Sequence, residues 1–177
     1  MNSTLTSVEG KRIKTIELIA FVIASILGVI FHFLYNWTGQ IRFVGFFVPV
    51  NESIWEHLKL IFYPITIVSL AEYYLCKIRT PDFLCIKVRS IWVGMLSTVV
   101  IFYTYVGVWG GVIEWLNIVV YFIAMAIAYY FSCKKLIHSG QTKNTPILCI
   151  VSFAVVAILF MIFSLYPPAI GIFAVPK

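Results

Sequence analysis

Charge is scarce in this sequence, and negative charge scarcest of all. Seven Asp and Glu stand among 177 residues, against 13 Lys and Arg, and charged residues make up only 11%. A soluble domain carries about 25% charged residues. One with 62% apolar positions would expose sticky patches that soluble monomers avoid, so an ordinary soluble domain is excluded and lipid is the fitting solvent. The usual soluble-enzyme motifs are also missing. Glu56-His57 with Lys59 beyond is not HExxH, which excludes a standard zincin, and there is no GxSxG, Walker loop or GxGxxG. The four cysteines (Cys76, Cys85, Cys133 and Cys149) show no CxxC spacing and no paired framework. They read as reduced, apolar packing residues on the cytoplasmic side. The net charge of +6 does not imply a nucleic-acid partner, because the basic residues lie in short segments between apolar runs and form no stripe.

What is present is long apolar runs. Their lengths predict an all-α polytopic membrane helix bundle in a single domain, 1–177, with five transmembrane helices at about 16–36, 52–75, 90–108, 112–131 and 146–166. The first run is too long for a signal peptide and has no small-x-small cleavage site after it. Residues 38–51 are mostly apolar and aromatic but contain Gly45 and Pro49, so an interfacial or re-entrant segment is expected there. Asn51 looks like an N-cap for a helix starting at Glu52, with Pro64 kinking it. Lys77, Arg79, Asp82, Lys87 and Arg89 mark a charged loop with a turn at Thr80-Pro81-Asp82. Gly110-Gly111 makes a tight connection, and Lys134, Lys135, His138, Gly140 and Lys143 form the next polar loop. Lys11, Arg12, Lys14, Lys77, Arg79, Lys87, Arg89, Lys134, Lys135 and Lys143 then fall on one side, and only Arg42, Lys59 and Lys177 on the other. The positive-inside rule makes the N-terminus cytoplasmic and the C-terminus extracytoplasmic, in a multi-pass protein of the cell membrane. The short apolar tail is expected to lie on or fold into the outer surface.

Ionisable residues at membrane depth are costly and mark functional sites. Here they gather at the outer end of the second span. At helical spacing Glu52, Glu56, Lys59 and Tyr63 share one face, and Ser53 and His57 form an adjacent stripe. His32 and Asn36 near the end of the first span, and Glu114 and Asn117 near the start of the fourth, reach the same level. The expected site has Glu56, His57 and Lys59 as its chemistry, with Glu52, Asn36, Glu114, Asn117 and Tyr63 around the substrate. A divalent metal such as zinc could be held by His32, His57 and one of Glu52, Glu56 or Glu114, since zinc accepts imidazole and carboxylate ligands. At the inner level Glu17 is expected to pair with Lys14, and Glu72 with Lys77.

His32-Phe33-Leu34-Tyr35, then Pro49-Val50-Asn51-Glu52-Ser53-Ile54-Trp55-Glu56-His57-Leu58-Lys59, and finally Tyr166-Pro167-Pro168 together resemble a family of small bacterial integral membrane proteins known only as a domain of unknown function. The resemblance covers most of the chain, although the tail here is shorter and less polar. It implies where the site lies and nothing about its chemistry.

Three functional readings stand. A membrane-embedded enzyme acting on a lipid or isoprenoid-like substrate would use Glu56 as acid or base and Lys59 to stabilise an anion. A small-solute or proton-coupled transporter component would use the shifted acidities of buried carboxylates. With five spans and no inverted repeat, it would need a homo-oligomer. A structural or partner subunit would use the polar cluster only to join helices.

Overall fold

The computed structural model describes residues 7–78, 80, 82–139 and 146–176. Arg79, Pro81, Gly140, Lys143 and Lys177, which enter the loop and orientation arguments, lie outside the described residues. Within them the chain forms α1 (Ser7–Trp37), α2 (Arg42–Gly45), α3 (Ile54–His57), α4 (Lys59–Tyr74), α5 (Phe83–Trp109), α6 (Glu114–Ile137), α7 (Pro146–Leu165) and a 3-10 turn at Gly171–Phe173, with no strand. Five helices are long and apolar enough to cross a membrane, α3 and α4 together making the second.

The second span is the most enclosed of the five; α1 and α5 pack directly against it, and α6 packs across α1 and α5. Ala20 and Ala24 on α1, Ile61, Phe62 and Ile65 on α4, Ile91 and Met95 on α5, Ala124, Met125 and Ala128 on α6, and Phe160 on α7 form the core. The small residues let the helix backbones approach closely, which is how helices associate where lipid removes the hydrophobic drive between them. Outward faces stay apolar, as in Leu18, Ile19, Val22 and Ile26 of α1.

Several helix boundaries differ from the sequence reading. The predicted cap Asn51 sits outside the helix, where its Oδ1 accepts from Ser53 N at 2.9 Å. Ser53 is the N-cap instead, its hydroxyl accepting from Glu56 N at 3.4 Å. Both residue types cap well, and the Asx turn moves the start two residues on. Ser53→Ala should cost about 1 kcal/mol, read as a lowered unfolding midpoint in detergent; an unchanged midpoint would show that the cap contributes nothing.

The third helix begins at Phe83 and so takes in Lys87 and Arg89, which were expected in the loop; Lys87 is buried. Lys134 and Lys135 likewise fall in the last turn of α6, where cations complement the helix dipole.

Cys85 and Cys149 are joined by a disulfide between α5 and α7, their Cα atoms 5.4 Å apart, and Cys76 and Cys133 are free. This corrects the reading of all four as unpaired. Neighbouring helices 64 positions apart in the chain bring the two together, which no local spacing signals.

The tail folds back onto the bundle. Phe173 packs against Trp55 and Phe163, with ring centroids 4.9 and 5.1 Å away.

Candidate functional site

The Asn51–Lys59 stretch does not form one polar face. Because the helix starts only at Ile54 and Glu52 stays outside it, the stretch divides into two clusters pointing in different directions.

The first cluster is closed. Lys59 is 0% exposed and Glu56 2%. The Lys59 ammonium donates to Glu56 Oε2 at 2.6 Å, to Ser164 Oγ at 2.6 Å and to Gly45 O at 2.8 Å, with Val48 O at 3.3 Å. An ammonium has three donors, and all are met. Glu56 in turn accepts from Val50 N at 3.0 Å, and Ser164 Oγ lies 2.9 Å from its other oxygen. Tyr63 OH donates to Phe46 O at 3.1 Å. The Gly45, Phe46 and Val48 carbonyls at and after the end of α2 are thereby met by protein, the condition for such a backbone to lie against a membrane helix. The group ties that segment, the base of α4 and the end of α7 together. Ser164 was missed from sequence, because a lone serine ending an apolar run carries no signal without its partner.

The second cluster is open. His32, Glu52 and His57 each offer a ligand atom, and these atoms all lie within 4.8 Å of one another. They come from α1, from the loop before α3 and from α3 itself. The two imidazole rings are 5.3 Å apart between centroids. His57 Nδ1 lies 2.9 Å from Ser53 O and its Nε2 lies 3.2 Å from Glu52 Oε2. Both ring nitrogens thus face oxygen acceptors. A neutral imidazole has one donor, so the second contact needs a second proton or a cation at Nε2. His32 Nδ1 is buried with no hydrogen-bond partner among the described residues.

Glu52 is exposed. A hydrogen bond from His57 holds its carboxyl below the usual range, against the opposing effect of partial burial. While His57 carries the second proton, the contribution of this contact is present above the ordinary carboxylate range and is lost as pH falls through the lowered value.

The other expected members stand apart. Asn36 and Glu114 are exposed, and Asn117 is engaged by the hydroxyl of Tyr105. Among the described residues the metal-capable group includes neither Glu56 nor Glu114.

At the opposite end of the bundle the expected pairs are replaced. Lys87 of α5 donates to Glu17 Oε1 at 2.5 Å and lies 2.6 Å from Glu72 Oε2, all three residues being buried. Reading Lys87 as a loop residue hid this partner for both acids.

The family model of a family of unknown function, DUF6512, matches residues 5–175. No curated protein and no solved structure matches the chain.

Proposed function

Since the chain belongs to DUF6512, a family of unknown function, its own geometry has to carry the assignment, and we propose that it is a membrane-embedded, metal-dependent enzyme. In this reading a divalent transition-metal ion, zinc foremost, is held by His32, Glu52 and His57 at the extracytoplasmic end of the bundle. The substrate is a lipid or isoprenoid-like molecule presented from the outer leaflet.

One observation carries the reading: three good ligands from three chain segments converge within 4.8 Å. Two imidazoles and a carboxylate are a donor set that suits zinc. Three protein ligands leave a coordination position free, the feature that separates catalytic from structural zinc sites. The contact of His57 Nδ1 with the Ser53 carbonyl is the outer support that ligating histidines ordinarily have, and it leaves Nε2 for the metal. When bound, such an ion would supply Lewis-acid activation of a headgroup oxygen or of water.

The lipid substrate is supported by the surroundings. Phe33, whose ring meets that of His32, and Trp37 stacked on it are exposed at the end of α1, giving apolar surface next to a polar site, as a lipid with its headgroup at the ligands requires. Glu56 and Lys59 are closed off and saturated, so they act as positioning residues for the turn that carries His57. A purely structural role accounts for Glu56 and Lys59 but leaves His32 Nδ1 without a partner among the described residues.

Metal analysis of protein purified without chelators tests this. The parent should carry about one transition-metal ion per chain, and His57→Ala and His32→Ala should lose it, because ligand loss removes far more affinity than the roughly 10–100-fold cost of changing an outer-shell partner. His138→Ala, at the far end of the bundle, should keep it. Binding should weaken on acidification, since protons compete for the ligand nitrogens. A parent that takes up no zinc even when supplied with it, or ligand variants that retain it, would count against the site. Metal-dependent turnover of phospholipid and isoprenoid-phosphate substrates then tests the enzyme.

A further inference from the structure

The buried group at the N-terminal end of the bundle does not balance its charge. Glu17 of α1 and Glu72 of α4 meet on the single ammonium of Lys87 from α5, and the three side chains are 2–3% exposed. Two carboxylates against one ammonium leave one negative charge in a region of low dielectric, where an uncompensated charge is strongly disfavoured.

The hydrogen bonds are also uneven. Lys87 donates to Glu17 Oε1, whereas its approach to Glu72 Oε2 is an ion-pair contact without hydrogen-bond alignment. Neither Glu72 oxygen, nor Glu17 Oε2, accepts a hydrogen bond from any described residue. From α6 the group is faced by Tyr129, whose ring centroid is 5.3 Å from the ammonium and whose hydroxyl is buried without a partner among the described residues. Cys133 of α6 feels the charges of Glu17 and Lys87 and also that of Lys14, which is exposed. None of these neighbours supplies the missing positive charge inside the group.

We propose that the Glu17–Lys87–Glu72 group is a proton-binding site, with Glu72 holding the proton as a carboxylic acid at neutral pH. A protonated Glu72 restores neutrality and gives the group the donor that its unpartnered oxygens lack. The proton comes from water, and leaves to water, on the side of the N-terminus. There a 210 Å³ cavity lined by Glu9, Arg12, Ile13, Ile16, Lys77, Ile78 and Thr80 reaches to within one turn of Glu17 along α1. This site is independent of the metal reading and stands or falls separately.

Infrared spectroscopy of the full chain in nanodiscs tests the proposal. The parent at neutral pH should show a protonated-carboxyl stretch that shifts on transfer to heavy water. The band should disappear in Glu72→Gln, where the neutral amide replaces the acid, and in Glu17→Gln, where one carboxylate is left for one ammonium. Both single variants should remain folded, whereas Glu17→Gln/Glu72→Gln strands Lys87 and should unfold at a lower temperature than either. Absence of the band in the parent, its survival in Glu72→Gln, or its failure to shift in heavy water would overturn the proposal. So would a parent without the band whose unfolding temperature rises with sodium, since a sodium ion would then be the balancing charge.

Discussion

Lys59→Met should lower stability by about 3–5 kcal/mol, the cost of breaking a buried ion pair from one side. The substitution nearly conserves volume, so packing loss is a minor part. What is left behind is Glu56, 2% exposed, which keeps Val50 N–H and the neighbouring Ser164 hydroxyl but no cation. The carbonyls of Gly45 and Val48 lose their donor at the same time. Thermal unfolding in detergent reads the effect. Glu56→Gln/Lys59→Met should recover a substantial part of it, because removing both charges removes the stranded one. A single variant as stable as the parent would show that Lys59 does not hold the irregular segment. The metal content of the double variant then separates the roles: a positioning pair can be replaced with the ligands intact.

Gly28→Ala should destabilise by about 1–3 kcal/mol, the usual cost of overpacking. Gly28 lies where α1 meets α4 and α6. A Cβ there would collide with the Tyr121 hydroxyl and stand 3.0 Å from Leu60 O. Tyr121 cannot simply swing aside, since its hydroxyl donates to Ser25 O at 3.0 Å. Gly28→Ala/Tyr121→Phe should therefore lose less than the sum of the two single changes, because removing the hydroxyl relieves the collision. Additive losses in a double-mutant cycle would place the strain elsewhere.

The five spans were legible because hydrocarbon thickness demands apolar runs of about 20 residues, and that demand acts on each stretch of chain separately. Pro146 at the start of α7 and the Gly110-Gly111 connection were legible for the same local reason. Gly110 adopts a positive φ of 80°, which glycine takes without strain. The level of the polar site could also be read, since charged residues in an apolar run stand out wherever they point.

Beyond the pairing of Glu56 with Lys59 three positions on, which helical spacing offers and the structure contains, how those residues divide among partners could not be read. A shift of the helix start from Glu52 to Ile54 turned Glu52 towards His57 and left Glu56 with Lys59, and only the packed turn decides between the two arrangements. Ser164 meets Lys59 across 105 positions of sequence, Lys87 meets Glu17 across 70, and Cys85 meets Cys149 across 64. Such meetings depend on which helices are neighbours and how each is rotated. Rotation is set by the sum of many small contacts among Ala20, Ala24, Ala124 and Ala128 and their partners, none of which has a signature in its own stretch of chain. By itself the sequence determined that the chain is a five-helix membrane bundle with a polar level at one end, because burial in lipid constrains each segment alone. Only the tertiary structure decided that this level holds a closed clasp and an open His32–Glu52–His57 group, because partner choice depends on several segments at once.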